Sequence, residues 1–335
     1  MQILLKNARI FDGNPEIRSQ DILIQHGIIE AMGDKIQAPS GAQIWESPEL
    51  SVSPGWLDIG VYAADPGYEH REDLSSAAAA AAAGGFTAMA CFPNTDPALH
   101  TKSEILYVRN KSAGLPVHCY PIGAVSQDCA GKDLAELFDM HAAGAVAFSD
   151  GKRAVQDAGL LLRALQYAKA FNGLVINVPH HNTIAAGGQM HEGLMSTSLG
   201  LKGLPALAEE LMVQRDLSLL EYSGGRLHIH LISTAKSVEM IRAAKKAGFP
   251  VTCSVAVANL CFSDEKLIEK ISLAPRQILG LPTPKIEIGE RAELTVFDPN
   301  AEWVLEEKSI RSKSRNTPLI GQTFQGKVLG IVGGK

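Results

Sequence analysis

The chain has 335 residues and a formal net charge of −5 at pH 7. Its lysines and arginines form no dense block, so the sequence argues against nucleic acid and anionic membranes as partners. The apolar runs are too short or too interrupted to span a bilayer, and the N-terminus lacks the pattern of a signal peptide. The five cysteines form no C-x-x-C pair, which favours buried free thiols in a cytoplasmic protein.

Both ends of the chain are predicted to form short β-strands. Apolar alternation near the N-terminus predicts strands at Ile3–Ile10, Asp21–Gln25 and Ile28–Met32. Near the C-terminus, strands are predicted at Ala292–Phe297, Trp303–Leu305 and Gly326–Val332. Together they predict a small composite β-sandwich domain made of residues 1–53 and 284–335, which leaves residues 54–283 for a second domain.

The middle of the chain alternates strands with helices. A strand at Trp56–Val61, an alanine-rich helix at about Asp73–Ala83 and a strand at Phe86–Phe92 predict a βαβ unit with parallel strands. Further strands are predicted at Val117–Ile122, Gly144–Phe148, Leu174–Val178, Leu227–Leu231 and Val251–Val255. Further helices are predicted at Lys132–Ala142, Asp157–Ala170, Pro205–Tyr222 and Ala235–Ala247. This alternation is typical of an α/β fold.

The segment Pro54–Pro97 resembles the start of the barrel in dihydroorotases, which are members of the amidohydrolase superfamily. That family writes D-x-H-x-H-x-R-E-P-G along its first strand, and the matching residues here run from Asp58 to Gly67. The closing segments G-E-R-A-E-L-T-V-F-D-P-N and S-R-N-T-P-L-I-G resemble the family's terminal β domain. The resemblance implies an α/β fold with a (β/α)8 TIM-type barrel of the metal-dependent hydrolase type, plus the β-sandwich built from both chain ends.

The resemblance also implies that part of the barrel is absent. Asp264–Leu267 resembles the loop after the family's sixth strand, and Ile268–Gly280 resembles its last barrel helix. Because no residues remain for a seventh and an eighth strand, we predict a missing segment of roughly 60 residues or more between Leu267 and Ile268. That segment would include the family's D-H-x-P-H motif, whose aspartate is the general acid/base.

Most metal-ligand positions of the family carry residues that cannot bind a metal here. By the resemblance, the two first-strand histidines fall on Gly60 and Tyr62, the fifth-strand histidine on Val178 and the sixth-strand histidine on Leu231. Only the aspartate after the fourth strand is retained, as Asp150. Because one carboxylate does not hold a catalytic divalent ion, we expect a degenerate metal site and no cofactor.

Other family positions have changed in the same way. The substrate-binding arginine falls on Ala64, and the histidine pair after the next strand falls on Ala258-Asn259. Asn94 occupies the position of the family's substrate-contacting asparagine, so we assign Asn94 and Asp150 to a vestigial substrate pocket. A turn-capping role for Asn94 explains its presence equally well.

Four histidines offer an alternative site. His228 and His230 share one face of a predicted strand, yet Leu231 rather than His230 matches the ligand position. His180 and His181 follow the fifth strand, where a polar loop pair is the favoured explanation and a ligand role is the alternative. If they joined Asp150 and the absent segment, an atypical zinc site would result.

Three functions follow from these observations. The first is a catalytically inactive dihydroorotase-like pseudoenzyme of de novo pyrimidine biosynthesis, a homo-oligomer that supports aspartate carbamoyltransferase, as the resemblance implies. The second is an active dihydroorotase or cyclic amidohydrolase that uses the atypical zinc site. The third is a small-molecule binding protein that reuses the emptied pocket, with Tyr62 filling the former metal space.

Overall fold

The computed structural model describes residues 2–14, 16–256 and 268–333. The chain divides into two compact units, which are described separately. The first unit takes the described residues within Met1–Cys91, Arg109–Tyr120 and Phe262–Lys335, and the second takes those within Phe92–Val108 and Pro121–Cys261. Among the described residues, no helix combines the length and the apolar character that crossing a membrane requires.

A mixed β-sheet joins the two ends of the chain within the first unit. Its strands are β1 (Gln2–Ile10), β2 (Arg18–Gln25), β3 (Ile28–Gly33), β4 (Gln43–Trp45), β5 (Ser51–Pro54), β15 (Leu294–Val304) and β16 (Thr323–Val332). They lie in the order β16-β15-β5-β1-β2-β3, with β4 also paired to β1. Because β15 pairs antiparallel with β5, the C-terminal strands close onto the N-terminal ones. The predicted domain bounds at residues 53 and 284 stay a prediction.

The predicted βαβ unit is present in the first unit. It consists of β6 (Trp56–Val61), α1 (Leu74–Ala83) and β7 (Phe86–Cys91), and the two strands pair in parallel. Asp73 caps α1 by accepting a 2.7 Å hydrogen bond from the backbone N–H of Ser76. Lys313 forms a 2.6 Å ion pair with the same carboxylate. The hydrogen bonds from Lys313 and Ser76 lower the pKa of Asp73 to about 2.

A buried ion pair fixes the helix that resembles the last one of a barrel. Residues Glu269–Leu273 form a π-helical turn, and α8 (Ala274–Leu279) follows it. Arg276 of α8 is buried and donates to the carboxylate of Glu293 and, at 3.3 Å, to the backbone oxygen of Gly55. The α8 helix is therefore tied to both the start of β6 and the start of β15 within the first unit.

The second unit contains a parallel sheet whose neighbours follow one another in chain order. Its strands are the end of β8 (His118–Gly123), β9 (Ala147–Phe148), β10 (Leu174–Asn177), β13 (Arg226–Ile229) and β14 (Val251–Cys253). The helices that precede or follow these strands in the sequence are α2 (Lys102–Lys111), α3 (Leu137–Ala143), α4 (Ala158–Lys169), α6 (Leu207–Ser223) and α7 (Ala235–Lys246). A two-stranded ribbon, β11 (Met190–His191) with β12 (Gly203–Leu204), encloses the short α5 (Leu194–Ser198) in the sequence.

Three expectations need correction. The strand predicted at Val251–Val255 is present as Val251–Cys253, and because it pairs in parallel with β13 as the seventh strand of the βα series, the expectation that a seventh strand is absent was wrong. The helix expected at Lys132–Ala142 begins only at Leu137, since Leu134 forms a β-bridge with Ser126. The α6 helix begins at Leu207 rather than at Pro205. The junction between Leu267 and Ile268, where we predict the missing segment, borders residues outside the described ones.

We predict that Asp73→Ala lowers the free energy of unfolding by about 1 kcal/mol at pH 7, because α1 loses its N-cap. The folded-state pKa lies below the ordinary value, so the carboxylate stabilises the fold above pH 4 and loses that effect as the pH falls toward 2. Urea unfolding at several pH values measures the difference between the two proteins. Asp73→Asn, which keeps a side-chain acceptor, is the control. If the difference in free energy of unfolding between wild type and Asp73→Ala did not narrow in acid, the assignment would be contradicted.

Candidate functional site

Asp150, the retained ligand position, follows β9 and is buried against a neighbouring loop. Its Oδ1 accepts a hydrogen bond from the backbone N–H of Ser126 at 2.9 Å, and the Ser126 hydroxyl donates to Oδ2 at 2.5 Å. The same hydroxyl accepts from the N–H of Gly131 at 2.7 Å, which closes the loop on the carboxylate. Burial raises the pKa of Asp150, and hydrogen bonds from Ser126 and Val125 oppose the rise. Both carboxylate oxygens therefore hold the loop after β8.

Asn94 joins the loop after β7 to the loop after β9. Its Nδ2 donates to the backbone oxygen of Asp150 at 2.9 Å, and its Oδ1 accepts from the N–H of Lys152 at 2.9 Å. A Cβ on Gly151 would lie 1.9 Å from that Oδ1, so the contact requires glycine at this position. The structure thus brings the two predicted pocket residues together, with the amide of Asn94 bonded to the Asp150 loop.

Val178 and Leu231, two of the degenerate ligand positions, line one cleft of the second unit. We call it the 178–234 cleft, and its volume is about 250 Å³. Its other lining residues are Pro179, His180, Ala185, His191, Leu204, Pro205, Ala206, Ala208, Glu209, Ser233 and Thr234. Neither Asp150 nor His181 is among the described residues that line this cleft.

The backbone turns sharply where the sixth-strand histidine was expected. The β13 strand ends at Ile229, and Leu231 has a φ of 58°, a left-handed conformation that costs a non-glycine residue about 1–2 kcal/mol. The alternation of side chains between the two faces of β13 therefore stops before this position. It cannot decide whether His230 or Leu231 occupies the expected ligand position. Leu231 is 46% exposed in the cleft, whereas His230 is buried.

His228 and His230 are bonded to hydroxyl groups of the neighbouring strand region. The ring nitrogens of His228 lie 2.8 Å from Thr252 Oγ1 and 3.1 Å from Ser254 Oγ, and His230 Nδ1 lies 2.9 Å from the same Ser254 oxygen. The His230 ring also packs edge-on against Phe92. Burial lowers the pKa of His228 to about 3 and that of His230 to about 4, so both rings are neutral at pH 7.

The two loop histidines point to different partners. His181 Nδ1 lies 3.1 Å from the hydroxyl of Thr183, on the same loop. His180 is exposed and lines the 178–234 cleft, and its backbone oxygen accepts from the side chain of Gln156 at 2.8 Å. The structure therefore does not bring His180, His181 and Asp150 into one cluster around the cleft.

The two first-strand positions belong to the first unit. Gly60 has a φ of 97°, and the pairing register between β6 and β7 shifts between Ile59 and Val61. Gly60 is therefore the site of a β-bulge, and its backbone has a conformation that residues with a Cβ rarely adopt. Tyr62 is half-buried, and Ala64, at the former arginine position, is buried.

The residues present do not fit a catalytic metal ion. Glycine, valine and leucine have no side-chain donor for a metal, and the single carboxylate of Asp150 does not hold a catalytic divalent ion. In the part of the chain that the structure describes, no three His, Cys, Asp or Glu side chains come together as a metal site. The positions Ala258-Asn259 lie outside the described residues. The expectation of no cofactor stays a prediction.

The comparisons with known proteins identify the family. Residues 50–237 match the family model described as dihydro-orotase-like. The chain is 33% identical to the dihydroorotase of Geotalea daltonii, with 97% of this chain and 96% of the relative covered. It is 32% identical to the dihydroorotase of Syntrophus aciditrophicus, with 98% and 97% covered. The chain belongs to the dihydroorotase-like family.

Solved structures show the fold of this dihydroorotase-like chain. The L-hydantoinase of Arthrobacter aurescens is similar with a TM-score of 0.81 and 19% identity, over 99% of this chain and 96% of that one. The predicted TIM-type barrel with a β-sandwich is thereby confirmed as the fold class. The alignment with the Geotalea relative extends over 409 positions, so that relative has residues without a counterpart in these 335.

Sequence reasoning missed two residues that shape the site. Ser126, the partner of Asp150, lies 24 positions before it, and no local pattern connects the two. Glu209, early in α6, accepts from the backbone of Ser233 and Thr234 at the start of α7. The Ser-Thr pair before a helix was a visible capping signal, but its distant acidic partner was not.

We predict that Gly60→Ala lowers the free energy of unfolding by about 1–3 kcal/mol, because a residue with a Cβ must adopt a positive φ there. Gly33→Ala is the matched control, since Gly33 lacks a positive φ and its added Cβ would meet no atom within 4 Å. Urea unfolding of the three proteins measures both effects. Equal stability of the two variants would contradict a strained backbone at Gly60.

Proposed function

We propose that this chain is a catalytically inactive dihydroorotase-like protein of de novo pyrimidine biosynthesis, and that it supports aspartate carbamoyltransferase. Membership of the dihydroorotase-like family supports the place in pyrimidine synthesis. The loss of catalysis is supported chiefly by Val178 and Leu231, which give the cleft apolar side chains at two expected ligand positions. Fold alone carries no such conclusion, because the same fold hosts many functions.

The chemistry of the family explains why these changes matter. Hydrolysis of a cyclic amide at neutral pH needs an activated water molecule and a polarised carbonyl group, and a bound metal supplies both. Valine and leucine can do neither. Asp150 is buried, and its carboxylate oxygens accept hydrogen bonds from the N–H and the hydroxyl group of Ser126. The described side chains therefore support binding and loop positioning rather than amide hydrolysis.

An active dihydroorotase or cyclic amidohydrolase is the second candidate, and one observation favours it. The relatives named dihydroorotase match nearly the whole chain at 30–33% identity. Against it, His181 bonds to Thr183, and His228 and His230 are buried beside the hydroxyls of Thr252 and Ser254. An active site would then need donors from outside the described residues.

The first experiment measures zinc content and turnover. Purified protein, incubated with zinc and then desalted, should contain well under one zinc per chain and should not interconvert dihydroorotate and N-carbamoyl-aspartate. The Geotalea daltonii dihydroorotase, treated in parallel, is the positive control for the assay. Near-stoichiometric zinc together with turnover would establish the second candidate and end the proposal of an inactive protein.

An exposed apolar surface supports a protein partner. The short α5 helix presents Leu194, Met195 and Leu199 with 92%, 63% and 57% of their surfaces exposed. Contiguous exposed apolar side chains mark protein contacts more often than free surface. We call these three residues the α5 surface.

The second experiment tests the partner at the α5 surface. The tagged wild-type chain should retain aspartate carbamoyltransferase from the same cells in a native pull-down, and Leu194→Asp should retain much less. Ile288→Asp is the control, since Ile288 is 62% exposed but belongs to the first unit. If the wild-type eluate lacked the carbamoyltransferase, the proposed supporting role would be wrong. If Leu194→Asp retained the carbamoyltransferase as well as wild type does, the contact would lie outside the α5 surface. Size-exclusion chromatography of the same samples reports the predicted homo-oligomer.

A further inference from the structure

The 178–234 cleft has the size and the walls of a small-molecule site. Its volume of about 250 Å³ lies just under the range of ligand pockets, so a molecule of about one ring fits it. Val178, Leu204 and Leu231 give it apolar side chains of some size, while His180 and His191 contribute polar ring atoms. Apolar walls with a few polar groups are the usual composition of such a site.

One anion already belongs to the cleft. The carboxylate of Glu209 accepts from the backbone N–H of Ser233 at 3.0 Å to each oxygen, from the Ser233 hydroxyl at 2.6 Å and from the N–H of Thr234 at 3.0 Å. Thr234 is the N-cap of α7, so the positive end of this helix faces the carboxylate. Burial acts to raise the pKa of Glu209, but these hydrogen bonds lower it overall, so the group is ionised at pH 7.

The Glu209 charge meets no basic side chain of lysine or arginine in the described part of the cleft. None of the described residues that line it is a lysine or an arginine. Glu209 forms no ion pair among the described residues, whereas its neighbour Glu210 pairs with Lys236 at 3.3 Å. A second anion in this small volume would meet the Glu209 charge at short range, and like charges in a partly desolvated site repel strongly.

We propose that the 178–234 cleft binds small organic cations, namely amines whose apolar body contacts Val178 and Leu231 while the ammonium group faces Glu209. Charge complementarity carries this assignment, because the cleft combines apolar walls with one ionised carboxylate and has no lysine or arginine among its described lining residues. Carboxylates of the same size are excluded, since Glu209 already occupies the backbone N–H groups that would receive them. The inference goes beyond the proposed function and does not rest on the partner or on the absence of catalysis.

The probes are benzylamine, benzyl alcohol and benzoate, which share one ring and differ in charge. Isothermal titration at pH 8, above the ordinary titration range of imidazole, should show benzylamine binding at least about tenfold tighter than benzoate. Benzyl alcohol should fall between them, because it keeps the apolar contact without the charge. No binding of benzylamine, or equal binding of benzylamine and benzoate, would overturn the proposal.

Variants then locate the site. Val178→Phe fills the cleft and should abolish benzylamine binding, and it leaves the capping bonds of Glu209 in place. Glu209→Gln should reduce the preference for benzylamine over benzoate at least about fivefold, whereas Glu210→Gln, the neighbouring control, should leave it unchanged. If Glu209→Gln fails to fold, Val178→Phe decides alone. Undiminished benzylamine binding by Val178→Phe would place the amine elsewhere and refute the assignment.

Discussion

The hydrogen bonds between the Asp150 carboxylate and Ser126 determine what the end of β9 can do. The carboxylate accepts an N–H and a hydroxyl hydrogen bond from Ser126, one at each oxygen, and these two bonds fix its position and orientation. Removal of Asp150 would leave the buried N–H of Ser126 without its acceptor, at a cost of about 1–3 kcal/mol. Asp150 therefore has a structural role that does not require a metal ion. The residue now serves the loop after β8, and Asn94 extends the same network to the loop after β7.

The backbone adopts a positive φ at two of the degenerate ligand positions. Gly60 has a φ of 97° at a bulge of β6, and Leu231 has a φ of 58° directly after β13. A histidine placed at either position would inherit a left-handed backbone, which L side chains adopt only at a cost. A histidine introduced at Gly60 or Leu231 would therefore carry a backbone cost in addition to any gain from its imidazole.

The sequence predicted the elements better than their ends. The strands of the βα series were recognised because buried parallel strands have continuous apolar runs. The α2 helix was missed, since only Ile105 and Val108 of its ten residues are buried and its apolar periodicity is weak. The start of α3 was misplaced because Asp128 and Cys129 adopt left-handed conformations and Leu134 bridges to Ser126, none of which local propensity reveals. The strand count failed because it followed a resemblance of loops rather than the pairing of Val251–Cys253.

The contacts around the candidate site could not be predicted from the sequence. The resemblance named Asp150, Val178 and Leu231, and the structure places the latter two in one cleft. The other residues of this cleft come from distant parts of the chain. Glu209 and Ser233, for example, contact each other across 24 positions, and a contact at such a separation leaves no periodic signal in the sequence. Local sequence could not show that Glu209 fills the N–H groups at the start of α7. The Glu209 carboxylate gives the described lining of the cleft its negative charge.

The cleft and the α5 surface depend on the same piece of backbone. His191 of β11 and Leu204 of β12 line the cleft, and these two strands pair in parallel on either side of α5 in the sequence. The helix itself is held by Ser196, which exchanges hydrogen bonds with Gly193 directly after β11. A molecule that contacts His191 and Leu204 therefore contacts the frame from which Leu194 and Met195 project. Any change in affinity that a cleft ligand produces at α5 must be matched by an equal effect of the α5 partner on the ligand, because coupling between two binding sites is reciprocal. If the chain lacks amide-hydrolysing residues, as we propose, this ribbon would still link a small molecule to a protein contact.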